Sequence, residues 1–275
     1  MPKTGMKYLE KLKLKKYRES EAKFLIEGVN ILEECLKSPV YRKYIQTIIM
    51  RDEFVDDHML DRIQIAAPKA EIQKLGSSAF SKLADAVSPQ GIIAVVNVPD
   101  EQLIHHEMHF TGLEPDASKA IVALDGINDP GNAGALIRAC HWFGIEDIML
   151  GEGSVELYNP KVIRSTQGSL FHVLAREGVE LISELKKYNE AGYSILLFDL
   201  ETANNFSPDT FKELSEKFNK YVLVFGNESR GIAREILSNP NYNRFRLKGY
   251  SQCESLNVAV AAGIVMNSFR NVFKN

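Results

Sequence analysis

The sequence predicts a two-part α/β protein: a small α/β domain over residues 1–98, a linker over 99–118 and a larger, mostly parallel α/β domain over 119–275. Three observations carry this. Short apolar runs of strand type alternate with helical stripes in both halves, and strands separated by helices form mostly parallel sheets covered on both faces. The alternation dissolves between Pro99 and Ser118, where the chain is polar and lacks sustained periodicity. At 275 residues the chain also exceeds the ~150 residues of one average domain.

In the first half, Lys23–Glu27 reads as a strand, and Asn30–Leu36 as a helix with Ile31, Leu32, Cys35 and Leu36 on one stripe. Tyr44–Met50 is β-branched and strand-like, Val55–Ile63 and Ser78–Ala84 are helical, and Gly91–Val98 is a strongly apolar strand. The second half predicts strands at Ala120–Leu124, Asp147–Leu150, Ser194–Asp199, Tyr221–Phe225 and Arg244–Leu247. Helices are expected at Asn132–Phe143, Val179–Tyr188, Thr210–Phe218, Ile232–Leu237 and Leu256–Phe273. Open parallel sheets bind ligands at the carboxyl ends of their strands, which directs attention to the segments after Leu124, Asp199, Phe225 and Leu247.

Composition excludes several classes. With 45% apolar, 25% charged and 9% aromatic residues, the chain is neither disordered nor fibrous. Its longest nearly uncharged apolar stretch, Leu256–Met266, is far shorter than the ~20 residues of a bilayer-spanning helix, so no membrane span is expected. The N-terminus is basic but has no apolar core of signal-peptide type, and a cytoplasmic location is expected. Cys35, Cys140 and Cys253 lack paired spacing and read as reduced, structural thiols. His105, His106 and His109 fall in the linker without a supporting Cys or carboxylate cluster, so no metal is expected. A net charge of −3 does not announce a nucleic-acid partner. Residues 1–23 nevertheless hold eight Lys/Arg against three Glu, which fits either a solvated helix or a phosphate-contacting arm.

Three strand-end segments are dense in Gly, Asn, Arg, Glu and Ser. In the first, Asp125 to Arg138, Asp129-Pro130 reads as a helix N-cap with proline at the first helical position. Leu136, Ala139, Cys140 and Phe143 then supply that helix's buried stripe, with Trp142 assigned to the core beside it, and Arg138 lies on a flank. The second, Phe225 to Gly231, follows a purely apolar strand and carries Glu228 at the sheet's edge. The third, Glu254-Ser255-Leu256-Asn257, opens the last helix with Ser255 as N-cap, and the turns after it are apolar all round and hence expected to be buried. Gly151-Glu-Gly153 imitates part of a dinucleotide fingerprint but lacks the third glycine and a following helix start.

Together these segments resemble the three motifs of the SpoU branch of the SPOUT class, the TrmH-like RNA ribose 2′-O-methyltransferases. Asn132 and Arg138 match the paired Asn and Arg of the first motif, Gly226 and Glu228 the Gly and Glu of the second, and Ser255, Leu256 and Asn257 the Ser-Leu-Asn of the third. Arg164-Ser-Thr-Gln-Gly168-Ser169 is similar to the family's connecting segment. Phe24-Leu-Ile-Glu27-Gly28, Leu83-Ala-Asp85 and Pro89-Gln-Gly91 resemble its N-terminal substrate-binding domain, which is similar to a ribosomal-protein fold. One departure stands out: many relatives carry Ile-Pro-Met-x-Gly where this chain reads Leu247-Lys248-Gly249-Tyr250-Ser251.

The resemblance implies a deep trefoil knot in the C-terminal domain, which periodicity would never suggest because true knots are nearly absent from folds. It implies S-adenosylmethionine as cofactor, held largely by backbone at Gly226, Leu247 and Leu256. Asn132, Arg138, Glu228, Ser255 and Asn257 are the implied catalytic set. Arg138 would clamp an RNA phosphate and orient the 2′-hydroxyl, since a guanidinium is a poor proton acceptor. Glu228, Ser255 and Asn257 would hold the geometry, and Asn132 would orient Arg138 or the ribose. Relatives are homodimers, so a homodimer is implied, and ribosomal RNA is favoured over transfer RNA as substrate. The rival readings are a transfer-RNA methyltransferase, a base-modifying enzyme of the same class, and a non-catalytic RNA-binding or assembly protein that keeps the fold.

Overall fold

The computed structural model describes residues 5–104, 120–207 and 209–273. It divides into two units, Met1–Leu113 with Leu157–His172, and Glu114–Glu156 with Val173–Asn275. The α-helices used below are α1 (Met6–Lys11), α2 (Lys15–Glu21), α3 (Val29–Lys37), α4 (Asp57–Ala66), α5 (Ser77–Leu83), α6 (Pro130–Trp142), α7 (Pro160–Thr166), α8 (Leu181–Glu190), α9 (Thr210–Ser215), α10 (Arg234–Leu237) and α11 (Val258–Val272).

The first unit is a sheet in the order β1-β4-β2-β3, built from β1 (Lys23–Glu27), β2 (Ile45–Arg51), β3 (Glu71–Leu75) and β4 (Ile92–Asn97). Strand β4 runs antiparallel to β1 and β2, whereas β3 lies parallel to β2. Successive strand side chains point to opposite faces, and both faces of β1 are covered. Leu25 packs with Leu9, Leu12, Phe80 and Leu83 on one side. Phe24, on the other, stacks on Tyr158 at a ring separation of 4.3 Å and meets Tyr41 edge-on at 6.5 Å.

Tyr158 belongs to Leu157–His172, which the sequence reading had assigned to the C-terminal domain and which the structure groups with the first unit. The reason is local packing. Phe171 meets Tyr41 edge-on at 5.0 Å, the Tyr41 and Tyr158 hydroxyls are 3.2 Å apart, and His172 Nε2 lies 2.8 Å from Glu34 Oε2. Gly168 approaches α3 so closely that a Cβ there would stand 2.4 Å from that of Glu34. Phe24→Ala is therefore expected to cost about 3–5 kcal/mol, as for other buried aromatic truncations, and to loosen this docked segment. Urea unfolding would read the first effect and hydrogen exchange at 157–172 the second; unchanged exchange there would count against the docking.

The basic N-terminus forms the ordered helices α1 and α2, and part of its charge is used internally. Lys13 Nζ donates to the carbonyls of Lys82 and Ala84 at 3.0 and 2.9 Å, closing the C-terminal end of α5. Arg18 is buried and donates to the carbonyls of Leu12 and Lys13. Lys15 and Lys16 remain exposed.

The second unit is a seven-stranded sheet in the order β7-β6-β5-β10-β8-β11-β9. Its strands are β5 (Ala120–Asp125), β6 (Asp147–Gly151), β7 (Leu174–Val179), β8 (Ser194–Phe198), β9 (Asn205–Phe206), β10 (Tyr221–Gly226) and β11 (Asn243–Leu247), all paired parallel. β5 and β10 are buried along almost their whole length, which explains their uninterrupted apolar sequence. One face packs on α8 through Met149, Leu181, Leu185, Ile195 and Val222. Helix α11 packs against α6, and its Arg270 donates to the carbonyls of Phe143 and Gly144, closing the end of α6.

The chain enters at β5, winds outward through β6 and β7, then crosses to the other half of the sheet, which makes the β5/β10 boundary the topological switch point. Gly226 and Asp125 end these two strands and pair directly in register. Strands β3, β7 and β9 and helix α7 were absent from the sequence reading. No helix among the described residues is long and apolar enough to cross a membrane.

Candidate active site

Asp129 caps α6 as its sequence suggested, with Oδ1 accepting from Asn132 N at 2.8 Å and Pro130 in the first turn. The cap turns Asn132 towards the ends of β10 and α11. Asn132 Nδ2 donates to Glu228 Oε1 at 2.6 Å, and Asn257 Nδ2 donates to Asn132 Oδ1 at 2.7 Å. A chain of two hydrogen bonds therefore joins one residue from each of the three motifs. An ionised carboxylate is acceptor-only, so Glu228 fixes the rotation of the Asn132 amide, which in turn presents its oxygen to Asn257.

The cap of the last helix is Asn257 and not Ser255. Asn257 Oδ1 accepts from Ala259 N at 2.9 Å and Val260 N at 3.4 Å, so α11 begins two residues later than expected. Ser255 is exposed, and its carbonyl accepts from the exposed Cys253 thiol at 3.3 Å. The two other cysteines are buried, and burial pushes both thiols up. The structural role expected of all three thus describes Cys35 and Cys140 but not Cys253.

Arg138 is exposed on α6 and is not drawn into the Asn132 cluster. It stands six residues beyond Asn132, more than one and a half helical turns along, which carries it away from Glu228. The hydrogen-bond partners of Asn132 are Glu228 and Asn257, so of the two expected roles, orienting Arg138 or orienting the ribose, the first has no hydrogen bond to carry it. Leu247 is half-buried at the end of β11, and Leu256 is exposed beside the Asn257 cap.

Gly226 has a more specific role than its spacing suggested. A Cβ on it would lie 2.3 Å from the carbonyl carbon of Gly231 and 2.4 Å from the nitrogen of Ile232. The loop after β10 therefore folds directly over this glycine. It closes on itself through Asn227 N to Gly231 O at 3.0 Å and Gly231 N to Asn227 O at 2.9 Å. Inside the loop, Asn227 Oδ1 accepts from Ser229 N and Arg230 N at 2.9 and 3.0 Å, while its Nδ2 donates to the Gly126 carbonyl at 2.7 Å. Asp125 Oδ2 accepts from Ala233 N at 2.7 Å. The sequence reading singled out neither Asn227 nor Asp125. An Asn directly after the glycine that ends an apolar strand is the signal of an Asx turn that would have found the first.

Two expectations about apolar residues are reversed. Trp142 is 83% exposed, because it lies about 200° around the helix from Cys140 on the face opposite the buried stripe. Helix α11 is not buried all round: Val260 and Ile264, one turn apart, are 52% and 43% exposed. The histidines at 105, 106 and 109 lie outside the described residues. Among the described residues no group of three or more His, Cys, Asp or Glu could hold a metal ion.

Fold and site define an α/β protein with a cluster of polar loops at the switch point of a parallel sheet, the place where such sheets bind ligands. Residues 119–267 match the model of the SpoU rRNA Methylase family, and residues 3–94 match an MRM3-like substrate binding domain. The chain belongs to the SpoU rRNA methylase family. It is 32% identical over 264 residues to the 23S rRNA (guanosine(2553)-2′-O)-methyltransferase RlmP of Bacillus subtilis, covering 95% of this chain and 94% of that one. Mitochondrial rRNA methyltransferase 3 of Xenopus tropicalis is 28% identical over 227 residues, covering 81% of this chain and 51% of that one. Among solved structures, a TrmH-family protein from Porphyromonas gingivalis superposes with a TM-score of 0.76 at 27% identity, covering 98% of both chains. An AdoMet-bound rRNA methyltransferase from Sinorhizobium meliloti shares the fold, with a TM-score of 0.78 at 21% identity over 98% of this chain and 95% of that one.

Proposed function

We propose that this chain is an S-adenosylmethionine-dependent ribose 2′-O-methyltransferase of ribosomal RNA, working in the cytoplasm as a homodimer. The observation that carries the reading is the hydrogen-bonded chain Asn257–Asn132–Glu228, which ties one residue of each family motif together at the switch point. The ribosomal assignment is favoured by the kinship with RlmP and with rRNA methyltransferase 3. A knotted chain path, the family's trefoil, belongs to the same reading. The dimer is favoured by the unpartnered apolar side chains of Val260, Ile264 and Trp142.

The residues at the sheet edge suit the cofactor. Leu247 and Leu256 offer apolar surface to an adenine, and the loop over Gly226 offers backbone groups to its polar edge. When bound, S-adenosylmethionine supplies a methyl carbon that is already electrophilic, so the chain's own residues have to position the nucleophile and manage one proton. Arg138 clamps the phosphate next to the target ribose and orients the 2′-hydroxyl. A guanidinium is a poor proton acceptor, so the hydroxyl proton would pass to solvent as the oxygen takes the methyl carbon and the cofactor's methyl–sulfur bond breaks, its electron pair staying on sulfur. Glu228, Asn132 and Asn257 keep the motif loops in register, and Ser255 lines the same edge.

Mapping 2′-O-methylation in cellular RNA with and without this protein tests the reading. The expected result is loss of one methylated ribose in large-subunit ribosomal RNA, with the guanosine equivalent to the RlmP target as the first position to inspect. A lost methyl group in transfer RNA would move the substrate. Loss of none, with the protein present and folded, would leave the non-catalytic alternative.

A further inference from the structure

An open groove of about 220 Å³ lies within the first unit, at the turn between β1 and α3. It is formed jointly by the Glu27-Gly28 corner, by the strand approach at Ser88 and Gln90, and by Arg164 and Gln167 of the docked 157–172 segment. This volume is below the ~300–1,000 Å³ of sites for drug-sized ligands and suits one planar ring system.

The groove's charges are spent internally. Glu27 Oε2 accepts from the backbone N–H groups of Asp85 and Ala86 at 2.8 and 3.1 Å, and Arg164 Nη1 donates to Asp85 Oδ2 at 2.5 Å. No surplus of positive charge is left for a phosphate. The side-chain amides, by contrast, are only half used. Gln90 Oε1 accepts from Val29 N at 2.7 Å, leaving its NH2 group; Gln167 Nε2 donates to the Arg164 carbonyl at 2.8 Å, leaving its oxygen. Asn30 is exposed on the first turn of α3. Val87, in sequence between the lining residues Ala86 and Ser88, is completely exposed, an apolar side chain with nothing packed on it. Gln167 is held with φ at 50°, a left-handed conformation that is uncommon for a residue with a side chain.

Unspent amide donors and acceptors around a small neutral cleft with an apolar lip match the edge and face of a nucleobase, the features by which unpaired RNA is read. Resting on the reading of this chain as an RNA methyltransferase, we infer that this groove receives one unpaired nucleotide of the substrate RNA and reads its base through the amides of Asn30, Gln90 and Gln167. Because Arg164 and Gln167 stand on a segment whose two ends run directly into the second unit, the base is read by residues continuous in chain with the methyltransferase motifs.

The test uses the full chain and deproteinised 23S ribosomal RNA as the probe, with affinity measured across a salt series. The double variant Asn30→Ala, Gln167→Gly removes two amides, and glycine tolerates the left-handed backbone at 167. Each lost hydrogen bond is worth roughly two- to tenfold, so the pair should weaken RNA binding by about tenfold or more. S-adenosylmethionine affinity and kcat at saturating RNA should stay at wild-type values while KM for RNA rises. The slope of log affinity against log salt should not change, because no phosphate contact is lost. Affinity within twofold of wild type overturns the proposal, and so does a weaker affinity with a slope shallower by roughly 0.7–0.9, which would mark a phosphate clamp instead. If the double variant fails to fold, Asn30→Ala alone carries the test, since that side chain is exposed. A wild-type protein that methylates RNA while the variants bind normally would sink the groove and spare the function. Groove-dependent binding without any methyl transfer would do the reverse.

Discussion

Gly226→Val is expected to abolish S-adenosylmethionine binding while leaving the rest of the chain folded. Even the first added carbon would stand 2.3 to 2.5 Å from backbone atoms of Gly231 and Ile232, and backbone cannot rotate aside as the end of a flexible side chain can. The loop must move, and it is cross-braced. Moving Gly231 breaks its two backbone bonds to Asn227, and moving Asn227 breaks the bond from its Nδ2 to Gly126 on the neighbouring strand end. Overpacking of this kind costs about 1–3 kcal/mol, less than the stability of a typical domain, so the damage should stay at the carboxyl edge of the sheet. Calorimetry should therefore detect no cofactor binding by a protein whose far-ultraviolet dichroism and oligomeric state match wild type. Wild-type affinity in that variant would show that the loop over Gly226 has no part in holding the cofactor.

The same loop marks where the sequence became hard to read. The inner strands β4, β5, β8 and β10 were legible because burial on both faces writes them as continuous apolar runs, and so was β1, an edge strand whose two faces are both covered. The strands that escaped, β3, β7 and β9, lie at sheet edges, where Glu-Ile-Gln-Lys-Leu in β3 satisfies pairing without an apolar pattern. Helix α7 had a legible start in Asn159-Pro160, the same cap-plus-proline signal that identified α6, but it has only seven residues and so no periodicity to extend it. The docking of 157–172 on the first unit could not be read at all, since it depends on Tyr158 meeting Phe24 across more than a hundred residues of chain.

For the site, strand-end logic located the loops, whereas the identity of Asn132, Glu228 and Asn257 as one set came from the family resemblance. The hydrogen bonds then revised their roles: Asn132 is a bridge between the other two, and Asn257 rather than Ser255 caps α11. Trp142 was misassigned because a helix only two residues past Cys140 has already turned to its opposite face.

Arg138→Ala is expected to lose methyl transfer by orders of magnitude with cofactor binding close to wild type. The side chain is exposed on α6, and the hydrogen bonds that join Asn132, Glu228 and Asn257 do not include it, so its expected target is the RNA and not the cofactor. A phosphate clamp that also orients the hydroxyl acts at the transition state, and the loss should therefore fall mainly on turnover rather than on affinity for RNA. Arg138→Lys should rescue little, because a point charge does not reproduce the planar two-pronged grip. The proposed dimer adds a sharper test. If Arg138 of one protomer completes a site whose Asn257 belongs to its partner, mixing Arg138→Ala with Asn257→Ala protomers should give heterodimers with one intact site in two. Their activity should approach half that of wild type, although each homodimer alone is impaired. A verified heterodimer without activity would mean that each site is built from one chain. An Arg138→Ala homodimer as active as wild type would remove Arg138 from the chemistry, and the exposed cations that flank the sheet edge, Arg230 and Lys248, would become the next to replace.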